Sequence, residues 1–189
     1  MRLGPGQVQI LFAHLQPHLV EGSVTEEPGR IESSANALMR AATRLSIPVT
    51  YALVPGGDGA PSPIDPIATF ADETNSFVAD VAAPFLVDAL RQRVDACKRP
   101  IMIVCGIATE AAVLHSVIDA IEAEYRVIVP IDAIGSTSDR AERAALDHIG
   151  REGGEMMSTA TILSMLAPDF RSEPGASMLT LIQSLSQQD

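Results

Sequence analysis

Apolar residues in this chain fall into short unbroken runs, and the stretches between them carry apolar residues at three- and four-residue spacing. Residues 8–15 (VQILFAHL) form a continuous run that stops at Gln16-Pro17, which predicts a buried strand opening into a loop. Ile31, Ala35, Leu38, Met39, Ala42 and Leu45 then line one helix face, and after Pro48 the run 49–54 predicts a second strand. Residues 55–63 (PGGDGAPSP) hold three Gly and three Pro and predict a loop. The short run 67–70 (IATF) reads as a third strand, and Phe85, Leu86, Ala89, Leu90 and Val94 as a helix after Pro84. Residues 101–105 (IMIVC) predict a fourth, fully buried strand, Thr109 opens the next helix with Glu110 in its first turn, and 126–131 predict a fifth strand cut short by Pro130. A helix over 141–149, a short strand over 155–157 and a helix over 158–166 with a polar N-cap complete the alternation. Met178, Leu179, Leu181, Ile182 and Leu185 add a final apolar stripe, suited to core or to subunit contact.

Regular alternation of strand and helix predicts a three-layer α/β/α fold: a Rossmann-like, six-stranded, mainly parallel sheet covered on both faces. No Pro/Gly/Ser-rich linker divides the middle of the chain, so one domain spans residues 1–189, with a core over about 8–170 and a C-terminal helix over about 176–186. The hydrophobic fraction is 47%, with no Trp and two Tyr, enough for an ample aliphatic core. A net charge of -11 and the lack of a Lys/Arg stripe argue against nucleic-acid binding. Cys97 and Cys105 make neither a disulfide framework nor a metal-ligand pattern, which fits a reducing cytoplasm. Residues 1–6 lack a signal-peptide apolar core, and no run approaches the ~18 apolar residues of a membrane span.

Ligands of open parallel sheets bind beyond the carboxyl ends of the strands. The informative residues are therefore His14, the loop from Pro55, Ala71 to Phe77, Gly106 to Ala112, and Asp132 to Ser138. The sharpest local signature is residues 105–114 (CGIATEAAVL), a strand turning through Gly106 into a helix whose N-terminal amides suit an anion or oxyanion.

Gly106 to Val113 resembles the Gly-x-x-Thr-(Asp/Glu)-x-Cys-Val element of the isochorismatase-like (cysteine hydrolase) family, with Ala112 at the nucleophile's position. Residues 132–136 (DAIGS) are similar to that family's Asp-Ala-x-Gly-Ser stretch. Ala145-Leu146, Gly153 and Ser158-Thr159 match the elements that follow it, and 36–49 match the family's Asn-to-Ile-Pro-Val pattern. The resemblance covers about residues 8–170. It implies the three-layer fold and a pocket built by Gly106, Ala108, Thr109 and Ala111, with a non-proline cis peptide at Ala108–Thr109. It also implies a dimer or larger homo-oligomer. It places His14 where the family has its acid/base Asp. Counting back from Ser76-Phe77 puts Ala71 where a Lys or Arg belongs, beside Asp72 and Glu73.

A thiol attacks an amide carbon only with a base to deprotonate it and a donor site for the developing charge. Ala112 has no heteroatom, which leaves the enzyme question open between two readings. In the first, the fold is kept without hydrolysis and holds a small acidic or carbonyl-containing ligand, or serves in assembly. In the second, a divergent hydrolase acts on a C–N (amide) or vinyl ether bond, with His14 as acid/base. Glu73, Phe77 and Asp132 are further candidates. Cys105, at the end of a buried strand, reads as an inert thiol rather than a displaced nucleophile. Asp58 has no histidine near it, so no metal and no cofactor are expected.

Overall fold

The computed structural model describes residues 3–56 and 60–186. The strands are β1 (Val8–Ala13), β2 (Val49–Leu53), β3 (Ser76–Val78), β4 (Ile101–Ile107), β5 (Arg126–Pro130), β6 (Ile134–Gly135) and β7 (Glu155–Met157). The helices are α1 (Pro17–Val20), α2 (Pro28–Leu45), α3 (Asp65–Ala68), α4 (Asp88–Cys97), α5 (Leu114–Glu122), α6 (Asp139–Glu152), α7 (Thr159–Leu166) and α8 (Glu173–Leu185). All strand pairs are parallel, in the order β3-β2-β1-β4-β5-β7, with β6 also paired to β4.

β1 and β4 alternate their side chains between two apolar layers. Val8, Ile10 and Phe12 join Ile31, Leu38 and Ile162 beneath α2 and α7, while Leu11, Ala13 and Val104 join Leu90, Val117 and Ile149 beneath α4, α5 and α6. Every residue of β1, β2 and β4 is buried, which is why these strands stand out as unbroken apolar runs. Ser138, Ser158 and Ser172 start α6, α7 and α8 by accepting hydrogen bonds from Ala141, Thr161 and Gly175 amides.

One expectation is corrected. Residues 67–70 are not a strand: Pro66 starts a helical turn, and Ile67 alone is buried, accepting a hydrogen bond from the Tyr51 hydroxyl at 3.2 Å. The third strand is Ser76–Val78, aligned by Tyr51↔Ser76, Ala52↔Phe77 and Leu53↔Val78. The expected six strands form the continuous order, and a seventh, Ile134–Gly135, pairs off that path with Gly106–Ile107.

The C-terminal stripe resolves to core. Met178, Leu181 and Leu185 are buried in the same chain against Ala37 and Ala41 of α2 and Leu163 and Ala167. The stripe thus gives no reason of its own for a second subunit.

Candidate functional site

Strand order runs outward from β1 through β2 to β3, then returns past β1 to β4 and runs out the other way. The connections diverge between β1 and β4, and the crevice beyond their carboxyl ends is where an open α/β sheet receives a ligand. His14 and the segment 106–112 both sit at this switch point.

His14 follows β1 with φ at 59°, in the left-handed region, and its amide donates to the Ala52 carbonyl at 2.8 Å. The side chain is buried, 6% exposed, and Nε2 has no hydrogen-bond partner. Burial lowers the imidazole's pKa, so the ring is neutral near pH 7. Two residues on, the Gln16 side-chain amide donates to the Val54 carbonyl at 3.1 Å and its Oε1 accepts from the Val54 amide at 2.8 Å. That clamp ties the chain leaving β1 to the chain leaving β2.

Across the crevice, Gly106 faces Ala13 in the β1–β4 ladder, and its amide donates to the Ala133 carbonyl at 3.1 Å. A Cβ at residue 106 would lie 2.2 Å from the Ala13 carbonyl oxygen, so only glycine lets the two site-bearing strands approach this closely. The non-proline cis bond joins Ile107 and Ala108, one residue ahead of the expected Ala108–Thr109, because the ladder to β6 holds the chain as far as Ile107.

Thr109 to Val113 form a π-helical turn rather than the first turn of an α-helix. Thr109 does not cap it. Its buried hydroxyl lies 2.8 Å from a Glu142 carboxylate oxygen and 3.1 Å from the Gly135 carbonyl, bracing the turn against α6 and β6. The Ala111 and Val113 amides both donate to the Ala108 carbonyl, at 3.1 and 3.4 Å. Ala111 is therefore corrected as an oxyanion donor: its N–H is spent inside the turn. Ala112 is fully buried, in the layer that contains Ala13, Ala52 and Ala79.

Ala71 does not join this group. It follows α3 and packs against the opposite layer, beneath α2, because the strand it was expected to follow is a helix. The residue that follows the true third strand is Ala79, which donates its amide to the Leu53 carbonyl at 2.8 Å and shares the core of Ala112. Asp72 and Glu73 are exposed. Asp72 accepts from the Thr74 amide and hydroxyl, which lower its pKa and close a surface turn. Phe77 is partly buried against the layer of Ala112.

Asp132 braces the fold near the strand ends: its Oδ1 accepts from both the amide and the hydroxyl of Thr159 at 2.8 Å. Cys105 is fully buried in the layer opposite Ala112, and burial together with Asp132 pushes its thiol well above the ordinary range. Glu142, 33 residues from the threonine it holds, left no sequence signal. Asp58, the basis of the metal expectation, lies outside the described residues. Among the described residues no three His, Cys, Asp or Glu side chains gather to hold a metal, and no helix is long and apolar enough to cross a membrane.

No curated protein matches this chain. Among solved structures it is similar to the Escherichia coli YcaC gene product, an octameric hydrolase of unknown specificity, with a TM-score of 0.87 and 21% identity over 100% of this chain and 96% of that one. YcaC from Pseudomonas aeruginosa, seen with hexane-2,5-diol and covalent acrylamide, aligns at 0.86 and 19% identity over 99% and 96%. The MAR1 ribonuclease of Caenorhabditis elegans aligns at 0.84 and 20% identity over 97% and 93%. These likenesses show the fold. The Isochorismatase domain matches residues 9–161, which contain His14, the Gly106–Val113 turn and Asp132, and the chain therefore belongs to the isochorismatase family.

Proposed function

We propose that this protein binds a small acidic or carbonyl-containing molecule in the crevice between β1 and β4 and performs no thiol-dependent hydrolysis. The observation that carries the reading is Ala112, a buried methyl group at the position where the resemblance calls for a nucleophile. Two neighbouring positions agree with it. Ala79, rather than Ala71, stands after the third strand and brings no cation, and His14 brings a neutral ring in place of a carboxylate. Without nucleophile and cation, what remains is a crevice at whose edge His14 Nε2 is buried without a partner among the described residues, as is Glu110 Oε2 on the π-helical turn. A ligand that hydrogen-bonds this nitrogen relieves a buried orphan. The octameric E. coli relative supports a homo-oligomer here, and the two unpaired cysteines fit a cytoplasmic location.

The orphaned imidazole favours one second reading, a hydrolase that cleaves a C–N or vinyl ether bond with water. A neutral His14 acts there as base, not as acid. Purified protein incubated with nicotinamide separates the readings. Loss of a nucleophile that works as part of a unit costs about six orders of magnitude, so no turnover above buffer is expected. Turnover lost in His14→Gln would establish the water mechanism, and turnover lost in Cys105→Ser would overturn both readings in favour of a displaced thiol. Restoring the triad as His14→Asp, Ala79→Lys and Ala112→Cys tests the assignment of positions.

A further inference from the structure

A second site lies outside the crevice, in the seam where α2 crosses α8. Ala37 and Ala41 bring the two helices together over Met178, Leu181 and Leu185, leaving a groove above the contact. Depressions of about 260 and 150 Å³ open along it, a third of about 430 Å³ lies on the Phe70 side of α2, and Arg40 lines all three. None of the lining residues follows β1 or β4.

Arg40 is exposed and has no hydrogen bond or ion pair among the described residues, whereas Arg44 beside it is paired with Glu173. On a chain of net charge -11, a free guanidinium among three hollows is a place where an anion meets attraction rather than repulsion. The other walls narrow the class of anion. The Thr180 and Ser184 hydroxyls donate to the carbonyls of Ala176 and Leu181 in their own helix, at 3.1 and 2.7 Å, so their oxygens present only lone pairs to the groove. The ligand must bring its own hydrogen-bond donor. Glu173 disfavours a dianion, and the Met178 and Leu181 floor suits an apolar body.

We propose that this groove binds a small organic monocarboxylate with an apolar, aromatic-sized body and an O–H or N–H donor at its far end. Arg40 takes the carboxylate in a bidentate pair, and the Thr180 oxygen accepts from the donor. The site is independent of His14.

The probe is 4-hydroxybenzoate, with benzoate and inorganic phosphate as comparators, followed by calorimetry and by amide chemical shifts of the full chain. 4-Hydroxybenzoate is expected to shift α2 and α8 amides and to bind more tightly than benzoate, with phosphate weakest. Arg40→Gln should weaken 4-hydroxybenzoate by about tenfold or more, as loss of a hydrogen bond to a charged group does. Thr180→Val should weaken 4-hydroxybenzoate but leave benzoate unchanged, and His14→Gln should change neither. Shifts confined to the surroundings of His14, affinity untouched by Arg40→Gln, or phosphate binding best would each overturn the proposal. So would sedimentation showing that Arg40→Glu dissociates an oligomer, which would assign the groove to a second copy of the chain.

Discussion

Gly106→Ala tests whether the close approach of β1 and β4 builds the site. The added methyl would meet the Ala13 carbonyl oxygen at 2.2 Å and the Ala13 carbonyl carbon and Cβ at 3.1 Å. Ordinary van der Waals contact needs about 1 Å more, and the obstacle is backbone held in the centre of a seven-stranded sheet, so no rotamer change relieves it. Overpacking of this kind costs about 1–3 kcal/mol. Parting the strands also weakens the ladder bonds around Ala13↔Gly106, at roughly 1 kcal/mol each. The sum is a loss of about 2–4 kcal/mol. For a chain of this size, about 3 kcal/mol lowers Tm by roughly 6–12 °C. Urea denaturation at constant m-value is the assay. Gly29→Ala is the control, since its Cβ would meet nothing within 4 Å at a helical position; it should stabilise by about 0.4–1 kcal/mol. A Gly106→Ala midpoint within about 0.5 kcal/mol of the parent, the usual scatter of an innocuous surface change, would refute the close-approach argument.

Asp132→Ala removes the acceptor of two Thr159 hydrogen bonds and should cost about 1.5–3 kcal/mol by the same denaturation assay, while a neutral result would show that water replaces the carboxylate. With iodoacetamide, the partly exposed Cys97 is expected to react in the native state and Cys105 only after unfolding, because burial keeps the latter thiol protonated and shielded; mass spectrometry showing early Cys105 labelling would contradict this. His14 is depressed on folding below its ordinary value of 6.5, so the unfolded chain binds the proton more readily. Stability is therefore full above about pH 6.5 and falls as pH drops through the lower folded value. His14→Gln should flatten that fall, and an unchanged slope would mean the ring is not desolvated.

The sequence by itself determined the alternation of buried strands and covering helices, since β1, β2, β4 and β5 are flanked by neighbours and so read as apolar runs. It also marked Gly106–Val113 as a strand end passing into a helix, although the need for glycine at 106 comes from the approach of Ala13 in β1. Only the tertiary structure decided that Ser76–Val78 and Ile134–Gly135 are strands. β3 and β6 hold three and two residues and owe their extended form to partners in β2 and β4, while Ile67 is equally apolar yet helical because Pro66 fixes the turn. With the third strand at 76–78, Ala71 lies in the layer beneath α2, on the other side of the sheet from Ala112. The Met178–Leu185 stripe was legible as apolar, but periodicity states only that a face is covered. Its cover is Leu163 and Ala167 nearby together with α2, 137 or more residues earlier in the sequence, and contacts at that greater separation have no local signature.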